Sequence, residues 1–443
     1  MNKFIITGGK KLKGEVPIFG SKNVALKVLV AACLTDEEVI VENVPLISDF
    51  ITMGEIIVHL GGKVMFKEHT VSVSLPKFSS EKISLEKAIE IRTSYMFVAP
   101  LLARVGKAVI PNPGGCRIGA RPIDRVVEGL EKMGVEIRYS SKDGYFHAAA
   151  PKGLTGTEYK FAKNTHTGTE TMILAAVLAH GRTILENAAE EPEIDELIVF
   201  LNQMGAKIVR KHSRTIVIDG VSTLSGTRFR VGPDRNEVVT FAVAAIITEG
   251  DILIRDINRN GLSEFLDELT KCGGGFEERA NGIRFFYSGE LTATNVVTSF
   301  YPGFMTDWQG PWAVLMTKAN GISTIHETVY ENRFTYVEEL KKMGADIELY
   351  SPQLANPEEI YNFNIKDDGS FLHAARIKGP TQLHNAILNI SDLRAGATLV
   401  LAALAAKGES TIFGVEHLDR GYEQFDKRLK ILGAKIKRIV ESK

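Results

Sequence analysis

The sequence predicts an α/β protein of two lobes, each assembled from three copies of one repeated unit. Two observations predict this class. A short glycine step that joins a helix to a strand recurs along the chain at roughly seventy-residue intervals, a longer period than that of the common solenoids. The chain also has 443 residues, more than one hydrophobic core usually serves. Six such units can close as one ring or as two lobes of three, and the length favours two lobes.

Each glycine step predicts the end of a helix. Glycine just past the last apolar position is the expected C-cap, because glycine adopts the left-handed conformation at little cost. A run of strand-forming residues follows, so the step should lead directly into a strand. The six steps read LGGKV at Leu60, MGVEI at Met133, MGAKI at Met204, CGGGF at Cys272, MGADI at Met343 and LGAKI at Leu432.

An alanine-rich apolar helix opens each unit. Its apolar residues stand at helical spacing and give way to β-branched residues, after which a second, amphipathic helix leads to the glycine step. The break between lobes should follow the third step, near Arg228 to Asp234. A polar segment at residues 351–379 lengthens the last interval and predicts an insertion or extended hairpin on the sixth unit.

The composition is that of a soluble globular protein, with 44% hydrophobic and 24% charged residues. Lys plus Arg (53) nearly balances Asp plus Glu (54), so no general basic field favours nucleic acid or an anionic membrane. No signal peptide or membrane span is evident. Cys33, Cys116 and Cys272 lie far apart without metal-ligand spacing, so we expect no disulfide framework, no zinc site and a cytoplasmic location.

One cysteine lies in a glycine-proline loop among arginines, in the stretch PNPGGCRIGARPIDR from Pro111 to Arg125. Proline and tandem glycine disfavour a regular helix or central strand there. Arg117 and Arg121 would favour the thiolate of Cys116 and could hold an anionic substrate beside it. The alternative is an ordinary surface loop whose cysteine is incidental.

Charged residues also interrupt the apolar pattern at the starts of several opening helices. Lys22 in GSKN, Arg92 and Arg394 stand at three of these starts, and Asp307 at another. If the starts face a common cleft between the lobes, they form a cationic pocket with one carboxylate, suited to a doubly anionic substrate and a general base. The alternatives are N-caps at Ser21, Asn23 and Asp307, with Lys22 solvated.

Several well-known functional motifs are absent. The chain has no GxxxxGK[ST] phosphate loop, and GGCRIGA lacks the full GxGxxG pattern and its strand-to-helix context. HExxH and GxSxG are missing too. Histidines such as His166 and His326 lack ligand spacing, so structural roles are expected for most of them.

Seven motifs follow one another along the chain: GSKN, PGGCRIGARPID, ENAAEEPEI, TDWQ, ETVYENRF, DLRAGATLV and LDRGY. Together they resemble those of the UDP-N-acetylglucosamine enolpyruvyl transferases, in the EPSP synthase superfamily. They occur in the family's order from near residue 20 to near residue 425. The resemblance implies two inside-out α/β barrels of three βαβαββ repeats each, with the active site in the cleft between the lobes. It also implies that the first residues complete the C-terminal lobe, giving lobes of residues 21–231 and of residues 1–20 plus 232–443.

The implied reaction transfers enolpyruvyl from phosphoenolpyruvate to the 3'-hydroxyl of UDP-N-acetylglucosamine and releases phosphate. It is the first committed step of peptidoglycan precursor synthesis, and it needs no metal and no cofactor. It requires a proton donor, a base for the hydroxyl and cations for the phosphate. No nucleic acid, membrane or obligate protein partner is implied.

The resemblance assigns roles residue by residue. Cys116 matches the proton donor, the thiol that fosfomycin attacks, and Asp307 the general base; Lys22 and Arg394 complete the catalytic set. Phosphoenolpyruvate would contact Lys22, Asn23, Arg121 and Arg394. The nucleotide sugar would contact Arg92, Arg121, Pro122, Ile123, Asp124, Arg125, Lys163, Thr165, His166, Asp307 and Val329.

Some positions depart from the family pattern. At the third opening helix the family usually has a run of small residues, whereas this chain places His166 and Thr167 where valine and glycine are expected. A backbone pocket for the nucleotide's phosphates would be reshaped there. The alternatives are a paralogue with another nucleotide-sugar or shikimate-type acceptor, and a non-catalytic regulator that binds a nucleotide sugar.

Overall fold

The computed structural model describes residues 2–112, 123–363, 365 and 371–440. Its backbone contacts divide the chain into two compact units. The N-terminal unit is formed by residues 19–112 and 123–232. The C-terminal unit is formed by residues 2–18 together with the described part of residues 233–440. Four of the residues singled out by the sequence lie outside the described residues: Cys116, Arg117, Arg121 and Pro122.

Two strands precede the first repeat, and the N-terminal unit follows them. The strands are β1 (Lys3–Thr7) and β2 (Lys13–Pro17). The N-terminal unit contains α1 (Lys22–Ala32), β3 (Val39–Glu42), α2 (Ser48–His59), β4 (Lys63–Lys67), β5 (Thr70–Ser74), α3 (Leu85–Glu90), a 3₁₀ helix (Arg92–Phe97), α4 (Val98–Val105), β6 (Lys107–Pro111), α5 (Asp124–Lys132), β7 (Glu136–Ser140), β8 (Tyr145–Ala149), β9 (Glu158–Lys160), α6 (His166–Ala176), β10 (Arg182–Glu186), α7 (Pro192–Gln203), β11 (Lys207–His212), β12 (Thr215–Asp219) and β13 (Arg228–Arg230).

The C-terminal unit repeats the same alternation of helices and strands. It contains α8 (Arg235–Ile247), β14 (Asp251–Arg255), α9 (Ser263–Lys271), β15 (Gly275–Arg279), β16 (Gly282–Phe286), β17 (Val296–Ser299), β18 (Phe304–Met305), a 3₁₀ helix (Thr306–Trp308), α10 (Gln309–Met316), β19 (Gly321–His326), α11 (Val337–Lys342), β20 (Asp346–Tyr350), α12 (Pro357–Ile360), β21 (Ala374–Gly379), β22 (Ile387–Asn389), α13 (Leu393–Ala405), β23 (Glu409–Phe413), a 3₁₀ helix (Val415–His417), α14 (Phe425–Ile431) and β24 (Lys435–Ile439).

Each unit carries three sheets within the described ranges. In the N-terminal unit their strand orders are β13-β3-β5-β4, β6-β8-β7 and β11-β12-β10-β9. In the C-terminal unit they are β15-β16-β14-β2, β18-β17-β19-β21-β20 and β22-β23-β1-β24. Strand β2 pairs in parallel with β14, and β1 pairs in antiparallel register with both β23 and β24. The first residues of the chain therefore complete two sheets of the C-terminal unit.

The opening helices form the core of each unit. A helix that is apolar around its whole circumference must be covered on every side. All residues of α8 are buried, as are those of α13 from Leu393 to Leu404, and α8, α10 and α13 pack against one another. In the N-terminal unit α1 and α6 are buried along most of their length. Helices inside and sheets outside are the arrangement that the term inside-out barrel describes.

The glycine steps are confirmed as helix C-caps. All six first glycines have a positive φ, and each follows the last turn of a helix. Their φ values are +102° at Gly61, +88° at Gly134, +101° at Gly205, +87° at Gly273, +87° at Gly344 and +97° at Gly433. Only glycine adopts such angles without strain, which explains its recurrence in the sequence.

The polar segment at residues 351–379 was assigned to the wrong repeat. Its last strand, β21, pairs in antiparallel register with β20 and with β19, so β20 and β21 form a hairpin in the fifth repeat. The hairpin was expected, but on the sixth repeat. No helix within the described ranges is both long enough and apolar enough to cross a membrane.

Candidate active site

The packing of three opening helices brings charged residues together in the C-terminal unit. Arg235 begins α8, Asp307 lies in the 3₁₀ helix that leads into α10, and Arg394 lies in the first turn of α13. The starts of these helices meet, since Trp308 Nε1 donates to Asn236 Oδ1 at 3.0 Å and Arg394 Nε donates to Asp307 Oδ2 at 3.1 Å. Asp307 and Arg394, two of the predicted site residues, therefore lie together within this unit.

Asp307 is held between two guanidinium groups. Arg333 Nη2 donates to Asp307 Oδ1, while Arg394 Nε and Nη2 lie 3.1 Å and 3.0 Å from Oδ2. Burial alone would raise the pKa of the Asp307 carboxyl, but Arg394, Arg333 and Arg235 outweigh it and lower the pKa to about 2. The carboxylate is ionised and partly accessible, since 24% of its side chain is exposed. The Asp307 carboxylate thus pairs with arginines, and the alternative that Asp307 is only a helix cap is wrong.

Arg394 is fixed from several directions. Asp392 caps α13, and its Oδ1 accepts hydrogen bonds from the backbone N–H groups of Arg394 (3.0 Å) and Ala395 (3.1 Å). The Arg394 Nη1 donates to the hydroxyl of Tyr422 at 3.1 Å, and that hydroxyl also lies 2.8 Å from Thr240 Oγ1. Contacts within the C-terminal unit thus fix the position of the Arg394 guanidinium.

A buried glutamate organises the segment that contains Val329. Glu327 is 1% exposed. Its Oε1 accepts hydrogen bonds from the backbone N–H groups of Val329 at 2.8 Å and Tyr330 at 3.0 Å. Its Oε2 accepts from Thr306 Oγ1 at 2.8 Å and from Gln309 Nε2 at 2.9 Å. The contacts link the Val329 segment to the helix start that carries Asp307.

Lys22 lies at the start of α1 in the N-terminal unit. Its Nζ is 2.7 Å from Asp49 Oδ2, in the first turn of α2, and the two side chains are 12% and 6% exposed. The alternative of a solvated Lys22 is therefore wrong. Ser21 occupies the N-cap position without a side-chain capping bond, and Asn23 lies beside Lys22, partly buried.

The start of α6 carries a histidine and a buried ion pair. Thr165 is the N-cap, and its Oγ1 accepts from Gly168 N at 3.2 Å. His166 Nε2 lies 3.1 Å from Glu170 Oε1, and Lys27 Nζ, on α1, lies 3.3 Å from Glu170 Oε2. Burial alone would lower the pKa of His166, but Glu170 and Glu191 outweigh it and raise that pKa.

The remaining predicted contacts of the N-terminal unit lie near α6 or at a 3₁₀ helix. Arg125 Nη1 donates to the carbonyl of Asn164 at 3.1 Å, which joins the start of α5 to the loop before α6. Ile123 is the N-cap residue of α5, Asp124 is its first residue, and Lys163 lies in that loop. Arg92 begins the 3₁₀ helix, 5.9 Å from the ring centre of Tyr95.

Several residues important to these clusters were not predicted, among them four that form ion pairs there. Arg333 lies within the quoted ENRF motif, which was the one available signal, but it received no role. Asp49, Lys27 and Glu170 belong to helices whose sequences gave no indication that they would meet. Among the described residues, no three His, Cys, Asp or Glu side chains group as a metal ion would require.

Comparisons with known proteins identify the family of the chain. A family model described as EPSP synthase (3-phosphoshikimate 1-carboxyvinyltransferase) matches residues 6–429. The chain is 40% identical over 452 residues to the UDP-N-acetylglucosamine 1-carboxyvinyltransferase of Bartonella henselae, covering 99% of this chain and 100% of that one. It is 41% identical over 440 residues to the protein of the same name from Solibacter usitatus, again covering 99% and 100%.

Solved structures confirm the predicted α/β fold. The enolpyruvyl transferase NikO from Streptomyces tendae matches with a TM-score of 0.85 at 24% identity, covering 99% of this chain and 98% of that one. EPSP synthase from Acinetobacter baumannii matches with a TM-score of 0.73 at 18% identity, covering 99% and 100%. The family model and the full-length relatives establish that the chain belongs to the UDP-N-acetylglucosamine 1-carboxyvinyltransferases, within the EPSP synthase family.

Proposed function

We propose that the protein transfers enolpyruvyl from phosphoenolpyruvate to the 3'-hydroxyl of UDP-N-acetylglucosamine. The observation that carries this proposal is the ionised Asp307 held beside Arg394 and Arg333 at the joined helix starts. A carboxylate next to fixed guanidinium groups supplies a proton acceptor and an anion-binding group in one place. The names of the full-length relatives support the choice of acceptor.

The proposed reaction is an addition followed by an elimination. In the addition, the sugar hydroxyl loses its proton to Asp307, its oxygen bonds to C2 of phosphoenolpyruvate, and C3 gains a proton from Cys116. In the elimination, C3 loses a proton and the C2–O bond to phosphate breaks, which leaves the enol ether and free phosphate. Lys22, Asn23, Arg121 and Arg394 are the proposed ligands of the phosphoenolpyruvate anions.

The pairing of Asp307 suggests how phosphoenolpyruvate would prepare the base. With both arginines facing Asp307, a pKa of about 2 makes the carboxylate a weak proton acceptor. An anion that takes up the charge of Arg394 would relieve this effect and raise the pKa of Asp307 toward its ordinary value. In this proposal, binding of phosphoenolpyruvate makes the base stronger where the hydroxyl must be deprotonated.

The nucleotide sugar is proposed to contact the residues around α5 and α6 in the N-terminal unit, together with Asp307 and Val329. The N-terminal residues are Arg92, Arg121, Pro122, Ile123, Asp124, Arg125, Lys163, Thr165 and His166. We further propose that the protein acts in the cytoplasm, in the synthesis of peptidoglycan precursors that growth, cell shape and division require.

Phosphate release tests this proposal. The protein is incubated with phosphoenolpyruvate and either UDP-N-acetylglucosamine, a second UDP-sugar or shikimate 3-phosphate, and free phosphate is followed over time. We expect release with UDP-N-acetylglucosamine and its loss in Cys116→Ala. Cys272→Ala is the matched control, because burial raises the pKa of that thiol to about 11 and should keep it unreactive. Release only with another acceptor would refute the acceptor assignment, and a fully active Cys116→Ala would refute the proton-donor role.

A further inference from the structure

The connection between β20 and β21, residues 351–373, is hydrogen-bonded to the chain that follows β19. Asn362 N donates to the carbonyl of Thr328 at 2.8 Å. Glu327 N donates to the carbonyl of His373, the last residue of the connection, also at 2.8 Å. Connections of this length are uncommon in compact domains and often carry function. The proposed reaction has given this one no part.

Four aromatic rings reinforce this contact. His326 Nε2, at the end of β19, lies 3.0 Å from the hydroxyl of Tyr361, and the two rings meet edge to face with their centres 5.4 Å apart. The ring centres of Phe363 and His373 lie 4.9 Å and 5.0 Å from that of Tyr361. Tyr361 is 4% exposed and Phe363 7%. Packed rings at these separations stabilise one another, so the cluster holds the end of β19 against the connection.

The hydrogen bond between His326 and Tyr361 joins two neutral groups. Burial lowers the pKa of His326, and the neighbouring His373 lowers it further. Burial raises the pKa of the Tyr361 phenol. Both groups are therefore uncharged at neutral pH, and one donor meets one acceptor. A neutral amide can replace the imidazole in such a bond, whereas an aliphatic side chain cannot.

The chain held in this way leads directly to Val329. Thr328 N donates to Thr298 Oγ1, in β17, at 3.0 Å. Val329 N donates to the buried carboxylate of Glu327 at 2.8 Å. Both the connection and β17 thus support the backbone between Glu327 and Val329. A residue that contacts a substrate is effective only when the structure around it holds it in place to within a fraction of an ångström.

We propose that Tyr361 and His326 are positioning residues for the acceptor, and that they hold Val329 where it contacts the nucleotide sugar. This inference rests on the proposed function, in which Val329 is one of the contacts of UDP-N-acetylglucosamine. Val329 is not among the proposed ligands of phosphoenolpyruvate. A change in the cluster should therefore weaken binding of the acceptor and leave binding of phosphoenolpyruvate unchanged.

The rate of phosphate release by the whole protein, measured while each substrate is varied in turn, tests the inference. Tyr361→Phe keeps the ring and removes the hydroxyl. We expect the KM for UDP-N-acetylglucosamine to rise about fivefold, because one partly buried hydrogen bond is lost. The kcat and the KM for phosphoenolpyruvate should not change, since a lost contact that binds substrate and transition state equally appears in KM alone. Tyr350→Phe is the matched control: this tyrosine of β20 lies in the same sheet, and both KM values should stay at the wild-type level.

Two variants of His326 separate positioning from packing. His326→Leu should raise the KM for UDP-N-acetylglucosamine as Tyr361→Phe does, because leucine cannot pair with the phenol. His326→Gln should keep a KM close to that of the wild type, because its amide can form the same bond. A role in packing alone would not produce this difference between leucine and glutamine. These two variants keep the test decisive if Tyr361→Phe does not fold.

The outcomes distinguish this inference from the proposed function. Phosphate release with an unchanged KM for UDP-N-acetylglucosamine, in folded Tyr361→Phe or His326→Leu, overturns this inference alone. Equal rises in the KM values of both substrates also overturn it, since they indicate a general disturbance of the C-terminal unit. Absence of phosphate release by the wild type with UDP-N-acetylglucosamine overturns the proposed function, and this inference with it.

Discussion

At the scale of single residues, the negative charge of Asp307 contributes to the stability of the fold as well as to the proposed chemistry. Its carboxyl has a pKa of about 2 in the folded protein, against an ordinary value of 3.8. A lowered pKa in the folded state stabilises the fold above the ordinary pKa, and this contribution disappears as pH falls through the lowered value. A shift of this size corresponds to about 2 kcal/mol.

Asp307→Asn should therefore destabilise the C-terminal unit in a pH-dependent way. We expect a loss of about 2–4 kcal/mol at neutral pH, because the buried Arg333 and Arg394 also lose the carboxylate that balances their charge. The difference in the free energy of unfolding between Asp307→Asn and the wild type should become smaller as pH falls from about 4 toward about 2. Urea unfolding followed by tryptophan emission measures it, since both tryptophans, Trp308 and Trp312, are buried in this unit. A difference that does not change with pH would contradict the ionised state of Asp307.

Arg333→Gln tests the electrostatic coupling to Asp307. Removing one cation should raise the pKa of Asp307, so the carboxylate becomes protonated at a higher pH than in the wild type. The acid limb of the pH profile of kcat/KM should therefore move to higher pH. Arg376→Gln is the matched control, because Arg376 forms an exposed pair with Glu348 in the same repeat. Equal shifts in both variants would count against a specific role of Arg333.

Site residues could be predicted from the sequence only where they interrupt a local pattern. Lys22, Asp307 and Arg394 were found because each interrupts an apolar helix at its start. Arg333 follows Asp307 by 26 positions and lies outside any helix, so its contact depends on tertiary packing. Glu170 and Lys27 look like ordinary polar interruptions of apolar helices until α1 and α6 are placed together. An ion pair between residues of two different repeats leaves no signal in the sequence around either residue.

At the scale of elements, the glycine steps were predictable because their cause is local. A left-handed residue just past the last helical turn lets the chain turn sharply into the next strand, and glycine adopts that conformation at the least cost. The assignment of residues 351–379 failed for the opposite reason. Which strand β21 joins is decided by its register with β19 and β20, and neither chain order nor composition specifies that register.

Two glycines flank the hairpin of β11 and β12. Replacing each by alanine distinguishes the cost of backbone strain from the cost of steric overlap. Gly205 has a φ of +101°, and a Cβ added there would meet open space, so Gly205→Ala should cost about 1–2 kcal/mol through backbone strain. A Cβ on Gly220 would lie 1.7 Å from the carbonyl oxygen of Ala179, so Gly220→Ala should cost more, about 3 kcal/mol. Urea unfolding followed by far-ultraviolet circular dichroism compares the two. A larger loss of stability in Gly205→Ala than in Gly220→Ala would contradict the view that steric overlap costs more than backbone strain here.

At the scale of the whole molecule, the chain does not divide into two units at a single point. The six repeats predict three units on each side of a break, and the break was expected near Arg228 to Asp234. The contribution of the first residues to the later unit came from the family resemblance, because a five-residue strand has no pattern that names its partner. In the structure β1 lies between β23 and β24, and β2 lies beside β14. The C-terminal unit therefore needs both ends of the chain.

This dependence predicts that a core residue of β1 stabilises the distant C-terminal unit. Ile6 is 0% exposed, and Ile6→Ala should destabilise that unit by about 2–5 kcal/mol, because it leaves a cavity beneath the sheet. Ile322→Ala is the matched control: the same side chain in the same unit is 56% exposed, and its loss should cost less than about 0.5 kcal/mol.

Tryptophan emission during urea unfolding reports this effect directly, since Trp308 and Trp312 both lie in the C-terminal unit. In Ile6→Ala the emission midpoint should fall, while hydrogen exchange in α1 and α6 of the N-terminal unit should keep its wild-type protection at low urea. Local stability follows the contacts that each residue makes, and β1 pairs only within the C-terminal unit among the described strands. An unchanged emission midpoint would mean that β1 adds no stability to the sheet it occupies. Equal loss of protection in α1 and α6 would instead mean that the two units unfold as one.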